Sequence, residues 1–249
     1  MSRKSKSIEK FLENSRLSIA NALIDEEIKS LLLPYTYDEA RLNEGMALYK
    51  EIDALYEKQK NDYVKQYEAQ EMFSKAQESA HNAYIEHVVL TRLALKGDPS
   101  TLKMLALDGR RRKMLAAWLR QLNRYYHNAV DNEEVLEKIS KYGITNDKLK
   151  EGQKLVKEVE LRNDEHERAK GAAQISTNER NKVLKKFDRW MTEFINVCRF
   201  AFKSQPQLLE KLGITVLSEG YKRKPKDKET EEVENNEPGA AEVREHHGL

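Results

Sequence analysis

The sequence predicts an all-α protein: a tandem-duplicated helical unit forming an elongated antiparallel helical bundle with long coiled-coil-like helices. Three observations carry this expectation. Chain-breaking residues are scarce, 10 Gly and 5 Pro in 249 residues, about half of average usage. Apolar residues recur at helical spacing in a chain that is 39% hydrophobic and 35% charged. The chain also repeats itself. Displaced by 107 residues, 3–107 lie on 110–214 without a gap, with 22 identities in 105 positions. The identities cluster, as where Leu42, Glu44, Gly45, Leu48, Lys50 and Glu51 fall on Leu149, Glu151, Gly152, Leu155, Lys157 and Glu158.

Each unit reads in the same order. A basic opening (Arg3, Lys4 and Lys6; Arg110, Arg111, Arg112 and Lys113) leads into a first helix over about 8–33 and 114–140. In the second copy Asp131-Asn132, ahead of Glu133-Glu134, has the form of an N-cap and divides this helix in two. A turn follows at 34–37 and 141–145, with Asp38, and Thr145 or Asn146, placed to cap what comes next. The second helix is long. Residues 38–96 hold no Pro and one Gly, and 146–203 hold no Pro; some 58 residues at ~1.5 Å each would span about 85 Å. Its pattern is weakest at 170–178, where a break is expected. Pro99 and Pro206 then start a short closing helix. Gly109 and Gly213 lie just beyond, suited to a left-handed terminating residue.

Matching apolar residues on the two long helices predict one shared core: Ala80, Tyr84, Val88 and Ala94 against Phe187, Met191, Ile195 and Ala201. The organisation expected is therefore unit 1 over 1–107, unit 2 over 108–214 packed with it as one bundle, and a disordered charged tail over 215–249. That tail is basic over 221–228 and acidic over 229–237. It holds 6 Lys/Arg and 9 Asp/Glu, a net of −3, so the total of +2 leaves +5 on 1–214. A mildly basic body permits an anionic partner without demanding one.

Several function classes lose support at once. No run approaches the ~18 apolar residues of a membrane span, and the charged N-terminus lacks a secretory apolar region. The single cysteine, Cys198, forbids an internal disulfide and argues for the reducing cytoplasm. Cys198 sits among Ile195, Val197 and Phe200, as an inert buried thiol would. Glu78 and His81 have Glu-x-x-His spacing, but Lys185 and Asp188 stand at the matching positions, so the second half of a di-metal site is missing. No catalytic constellation, cofactor fingerprint or small-molecule site is evident, and no cofactor or metal is expected.

Three sets of residues remain. Gly45 and Gly152 interrupt helices at a cost of about 0.5–1 kcal/mol each. Each lies ten residues after a turn tyrosine, Tyr35 or Tyr142; close approach of a neighbouring helix or of that tyrosine would explain them. Tyr49, Tyr56 and Tyr63 are spaced by sevens, with Leu42 one heptad earlier and Ile52 at the other seam position, as on a coiled-coil or partner face. Arg110, Arg111, Arg112 and Lys113, followed by Arg120 and Arg124, could contact an anion or a nucleic acid. Glu86 and Arg92, repeated as Glu193 and Arg199, are expected to make equivalent ion pairs with other helices. Together these features point to a non-enzymatic helical scaffold that self-associates or binds a protein partner. The alternative is a nucleic-acid-associated protein using the basic clusters that open each repeat.

Overall fold

The computed structural model describes residues 3–216. Among them every regular element is helical: α1 (Arg3–Ile24), α2 (Glu26–Leu32), α3 (Glu39–Ala94), α4 (Pro99–Met104), α5 (Leu115–Asp131), α6 (Glu133–Ser140), α7 (Asn146–Ala201) and α8 (Gln207–Lys211), with a short 3₁₀ turn at Leu33–Tyr35. The fold is all-α. Most of the expected tail, including the basic 221–228 segment, lies outside the described residues. No helix among the described residues is long and apolar enough to cross a membrane.

Local chemistry sets the helix boundaries. Asn132 accepts from the Val135 N–H (3.0 Å) and separates α5 from α6. The same break occurs in the first half, where one continuous helix over 8–33 was expected. Asp25 accepts from Ile28 N–H at 3.2 Å, and Glu26 and Glu27 fill the first turn of α2, where acidic side chains oppose the positive end of the helix dipole. Asp38 caps α3 through Arg41 N–H, and Thr145, rather than Asn146, caps α7 through Lys148 N–H. Asp98 caps α4, with Pro99 in its first turn. Pro206 is itself the N-cap of α8.

The break expected at 170–178 is absent: α7 runs unbroken for 56 residues, as does α3. Ser176 and Thr177 turn their hydroxyls back to the Ala173 carbonyl, at 3.1 and 2.8 Å. Gly171 stays helical within the pair. At ~1.5 Å per residue each long helix spans about 84 Å.

The two long helices pack along their length, and their contact numbers run in opposite senses. Arg41 meets Glu193, Gly45 faces Trp190, Tyr49 packs near Phe187, Lys58 meets Glu179, and Phe73 stacks on His166. The expected single core is instead two. The first head gathers Leu12, Ile19, Ile28, Leu42 and Ile52 with Phe187, Trp190, Phe194, Phe202 and Leu212. The second gathers Tyr84, Val88, Leu95 and Leu107 with Trp118, Leu122, Tyr125, Tyr126, Ile139 and Val156. Each head therefore mixes both halves of the chain. The helices are too long for one cluster to fill, so α1–α2 with α8 cover one end and α4–α6 the other.

Between the heads the seam is small and polar. Buried Gln59 donates to Thr177 Oγ1 (3.0 Å) and accepts from Arg180 Nη1 (2.5 Å), beside fully buried Ser176. This polar layer between the two heads holds the register of the pairing, because any slip would leave these groups without partners.

Candidate functional site

The second head carries a stapled loop between α4 and α5. The chain leaves α4 through Ala106 in the left-handed region (φ 55°), and Leu107 N–H bonds back to Leu102 O at 2.7 Å. Side chains of α5 hold this exit in place. Arg124 Nε and Asn128 Nδ2 both donate to Met104 O (3.1 and 2.7 Å), and Gln121 Nε2 donates to Ala106 O (3.0 Å). From α3, Arg92 Nη2 donates to the carbonyls of Leu107 and Gly109, each at 3.0 Å. Gln121 Oε1 in turn accepts from Arg112 N–H at 3.0 Å. A loop of arginines is thus fixed in shape by half-buried and exposed donors.

That shape produces clefts. Arg110, Arg112, Arg120 and Arg124 line one of about 340 Å³ together with Lys103, Gln121 and one carboxylate, Asp108. The α5 members recur at the i, i+3, i+4, i+7 spacing of one helix face: Ala117, Arg120, Gln121, Arg124. A neighbouring cleft shares Arg124 and adds Asn123, His127, Asn128, Gln153 and Lys157. A third shares Arg112 and adds Arg111, Lys113, His81, Glu78 and Trp118. Four of the six cations singled out in the sequence therefore meet in one cleft. Arg111 and Lys113 turn to the α3 side, where Arg111 Nη1 approaches His81 Nδ1 at 2.6 Å. Burial first, and the Arg111 charge second, hold His81 below its ordinary value, so the ring is neutral and can accept from the guanidinium. Lys103 and Lys157 were missed by sequence reasoning. Nothing local marks them, since their place depends on how α4 and α7 dock on α5.

No family model, curated protein or solved structure matches this chain.

The remaining candidates fall as follows. A Cβ on Gly45 would stand 2.5 and 2.6 Å from Trp190 Cζ2 and Cζ3, and one on Gly152 would stand 2.6 Å from the Tyr126 hydroxyl. Helix-to-helix approach requires both glycines, and the intruding rings come from α7 and α5. The turn tyrosines are elsewhere: Tyr35 is 38% exposed with its ring edge-on to Phe200 at 5.6 Å, and Tyr142 is 43% exposed. The tyrosine stripe divides. Tyr49 is half-buried, Tyr56 is buried with its hydroxyl donating to Glu9 (3.1 Å), and Tyr63 is 38% exposed.

Beyond Tyr63 the exposed apolar surface of α3 continues through Val64, Tyr67 and Met72. Glu193 pairs with Arg41 at 3.6 Å, while Glu86 lines a small cleft with Lys148. Gly109, expected to be left-handed, is not; Ala106 takes that conformation instead, as Gly213 does 107 residues later (φ 69°). Burial pushes the Cys198 thiol up to about 12, which leaves it protonated and unreactive. No group of three or more His, Cys, Asp or Glu side chains that could hold a metal occurs among the described residues.

Proposed function

We propose that this chain is a non-enzymatic helical scaffold. It is built from a duplicated unit and holds two unlike heads apart on an antiparallel coiled-coil stalk. The surface for self-association or a protein partner lies on that stalk. One observation carries the reading: between the heads, Tyr63, Val64, Tyr67 and Met72 expose apolar surface on α3, from 38% to 70%. Lys65, Glu68 and Glu71 are interspersed among these four side chains, and exposed tyrosine and methionine are the residue types enriched at the cores of protein interfaces.

The duplication draws support from matching geometry. All four boundaries of α3 and α7 coincide at a displacement of 107, Glu39 with Asn146 and Ala94 with Ala201. The Gln59–Arg180 contact and the Phe73–His166 stack exchange places under the same displacement. So do the two filled glycine gaps. The first head sets Trp190 over Gly45 and has Ile19 in its core. The second sets Tyr126 over Gly152 and has Ala83 beside it. Trp190 matches Ala83, and Tyr126 matches Ile19, so a large ring and a smaller side chain have traded positions.

Light scattering on a sizing column over a range of concentrations tests the proposal, alongside a photo-reactive residue at position 67 for cross-linking in cells. Oligomers, or a defined cross-linked partner, are expected. A mass of 29.0 kDa throughout, with no cross-link formed, would overturn it. A second reading, association with nucleic acid, is favoured by the convergence of Arg110, Arg112, Arg120 and Arg124 on one cleft.

A further inference from the structure

We infer that the second head grips the phosphate backbone of double-stranded nucleic acid across its three adjoining clefts, without reading base sequence. The inference rests on the nucleic-acid reading above and says where and how such contact is made. Lys103, Arg110, Arg112, Arg120 and Lys157 form no ion pair with any described residue. In contrast Arg16, Arg41 and Arg162 are each matched by glutamates at 2.7–2.9 Å. Unmatched guanidiniums held close together repel one another, and a phosphate is the ligand their planar donors fit.

The clefts form a track rather than a single pocket. Arg124 belongs to the first two and Arg112 to the first and third, and Arg120 and Arg124 stand about one helical turn, ~6 Å, apart along α5. A track suits a chain of phosphates more than a lone anion. At its margin Asn123 Nδ2 donates to Glu160 (2.8 Å) and Gln153 Nε2 to the Tyr126 carbonyl (3.5 Å), which leaves each amide one further N–H of the kind that positions a backbone.

The fold itself does not require these charges. At the opposite head the same framework carries Glu13, Leu17 and Glu210 where Arg120, Arg124 and Lys103 stand here. The chemistry of the track also selects the type of strand. Single strands are held largely by stacking on exposed aromatic rings, and the one Phe, Tyr or Trp lining any of the three clefts, Trp118, is 4% exposed. A concave cationic surface without such platforms matches a duplex backbone. An anionic membrane is the lesser fit, since Met114 at 78% exposure is the large apolar side chain in this loop.

The test uses the full chain, a fluorescein-labelled 24-base-pair DNA of arbitrary sequence, its RNA counterpart and its single strands, with anisotropy read from 25 to 300 mM KCl. Arg110→Glu with Arg120→Glu is compared with Lys10→Glu with Lys50→Glu, an equal charge change on the other head. None of these four side chains makes a described hydrogen bond or ion pair, so helicity by circular dichroism should be unchanged. Expected are binding to duplexes of unrelated sequence with similar affinity, and a steep fall with salt. The arginine pair should lose at least about tenfold at 50 mM KCl and flatten the log–log salt slope by about two, while the control loses little. If the native chain binds no nucleic acid even at 25 mM KCl, the nucleic-acid reading itself fails. If it binds but both variants lose equally, the reading survives and this site is wrong. Retention on phosphatidylserine vesicles in place of duplex would overturn the inference in favour of a membrane surface.

Discussion

Replacing Gly45 by Ala should destabilise the first head, although alanine is the better helix former. The magnitude follows from opposing terms. Helix propensity favours Ala by about 0.5–1 kcal/mol. Against this, the new methyl would stand 2.5 and 2.6 Å from two Trp190 ring carbons, where carbon atoms prefer 3.5–4.0 Å. The indole must retreat by roughly 1 Å to recover that spacing. It has little room to do so, being stacked on Phe194 (5.3 Å) and edge-on to Tyr37 (5.8 Å). Overpacking of this kind costs about 1–3 kcal/mol, so a net loss of ~1–2 kcal/mol is expected, or a melting temperature lower by about 2–8 °C in a chain of this size. The decisive arm changes the ring: in a Trp190→Leu background the same Gly45→Ala should become neutral or stabilising, by up to about 1 kcal/mol. Urea unfolding of the four chains by circular dichroism gives the cycle. A stabilising Gly45→Ala in the native background would refute the packing argument.

Other consequences are as direct. Ala106→Gly should stabilise by about 1 kcal/mol, because Ala106 holds a left-handed backbone that glycine adopts freely, and Gly213→Ala should cost a similar amount, both read by thermal melting. Burial holds His87, whose Nδ1 lies 3.2 Å from the Tyr126 hydroxyl, below its ordinary 6.5. Below pH 6.5 the unfolded chain therefore binds the proton that the folded chain refuses, and the stability present above that pH is lost as pH falls. The slope is at most about 1.4 kcal/mol per unit from this group. His87→Phe, which copies Phe194 at the matching position, should flatten the melting temperature between pH 5 and 7; an unchanged slope would remove His87 as its source. Cys198 should react with a disulfide reagent at pH 8 only as fast as the chain opens; rapid full labelling of folded protein would contradict its burial.

Helix identity was legible in the sequence because the signals are local. Asn132, Asp38 and Thr145 each cap the helix that follows, and Gly45 and Gly152 mark real close approaches. The misread places involve competition between local and distant terms. Gly171 and the Ser176-Thr177 pair weaken the helical pattern of α7, but buried Ala173 and Ser176 are the small residues a seam between two helices needs, so packing overrides propensity there, and Gly171, with open space around it, is carried within the helix. The apolar phases of α3 and α7 were visible, yet their division into two cores depends on which ends the short helices cover. The arginine cluster was visible as charge. Its assembly into a track depends on Gln121, Arg124 and Asn128 pinning the end of α4, which no spacing announces.

The two heads also differ in how far apart along the chain their parts are made. The second head draws on a continuous stretch, from Ala80 to Val159. The first must join residues near Leu12 to residues near Ile214, and its closing contacts include Ser18 Oγ on Leu212 O (2.6 Å) and Lys211 with Asp25 (3.1 Å). Loop closure favours the nearer partners. During synthesis the arginine-bearing head can therefore assemble while the C-terminal end of α7 is still being made. The long helices then zip outward from it, and α1 waits with an uncovered apolar face until α8 arrives. A nascent chain that has emerged as far as Val159 would already display the cationic track, and one that has emerged short of Phe202 would hold a half-built first head, the state most exposed to chaperones and to misassociation with another copy.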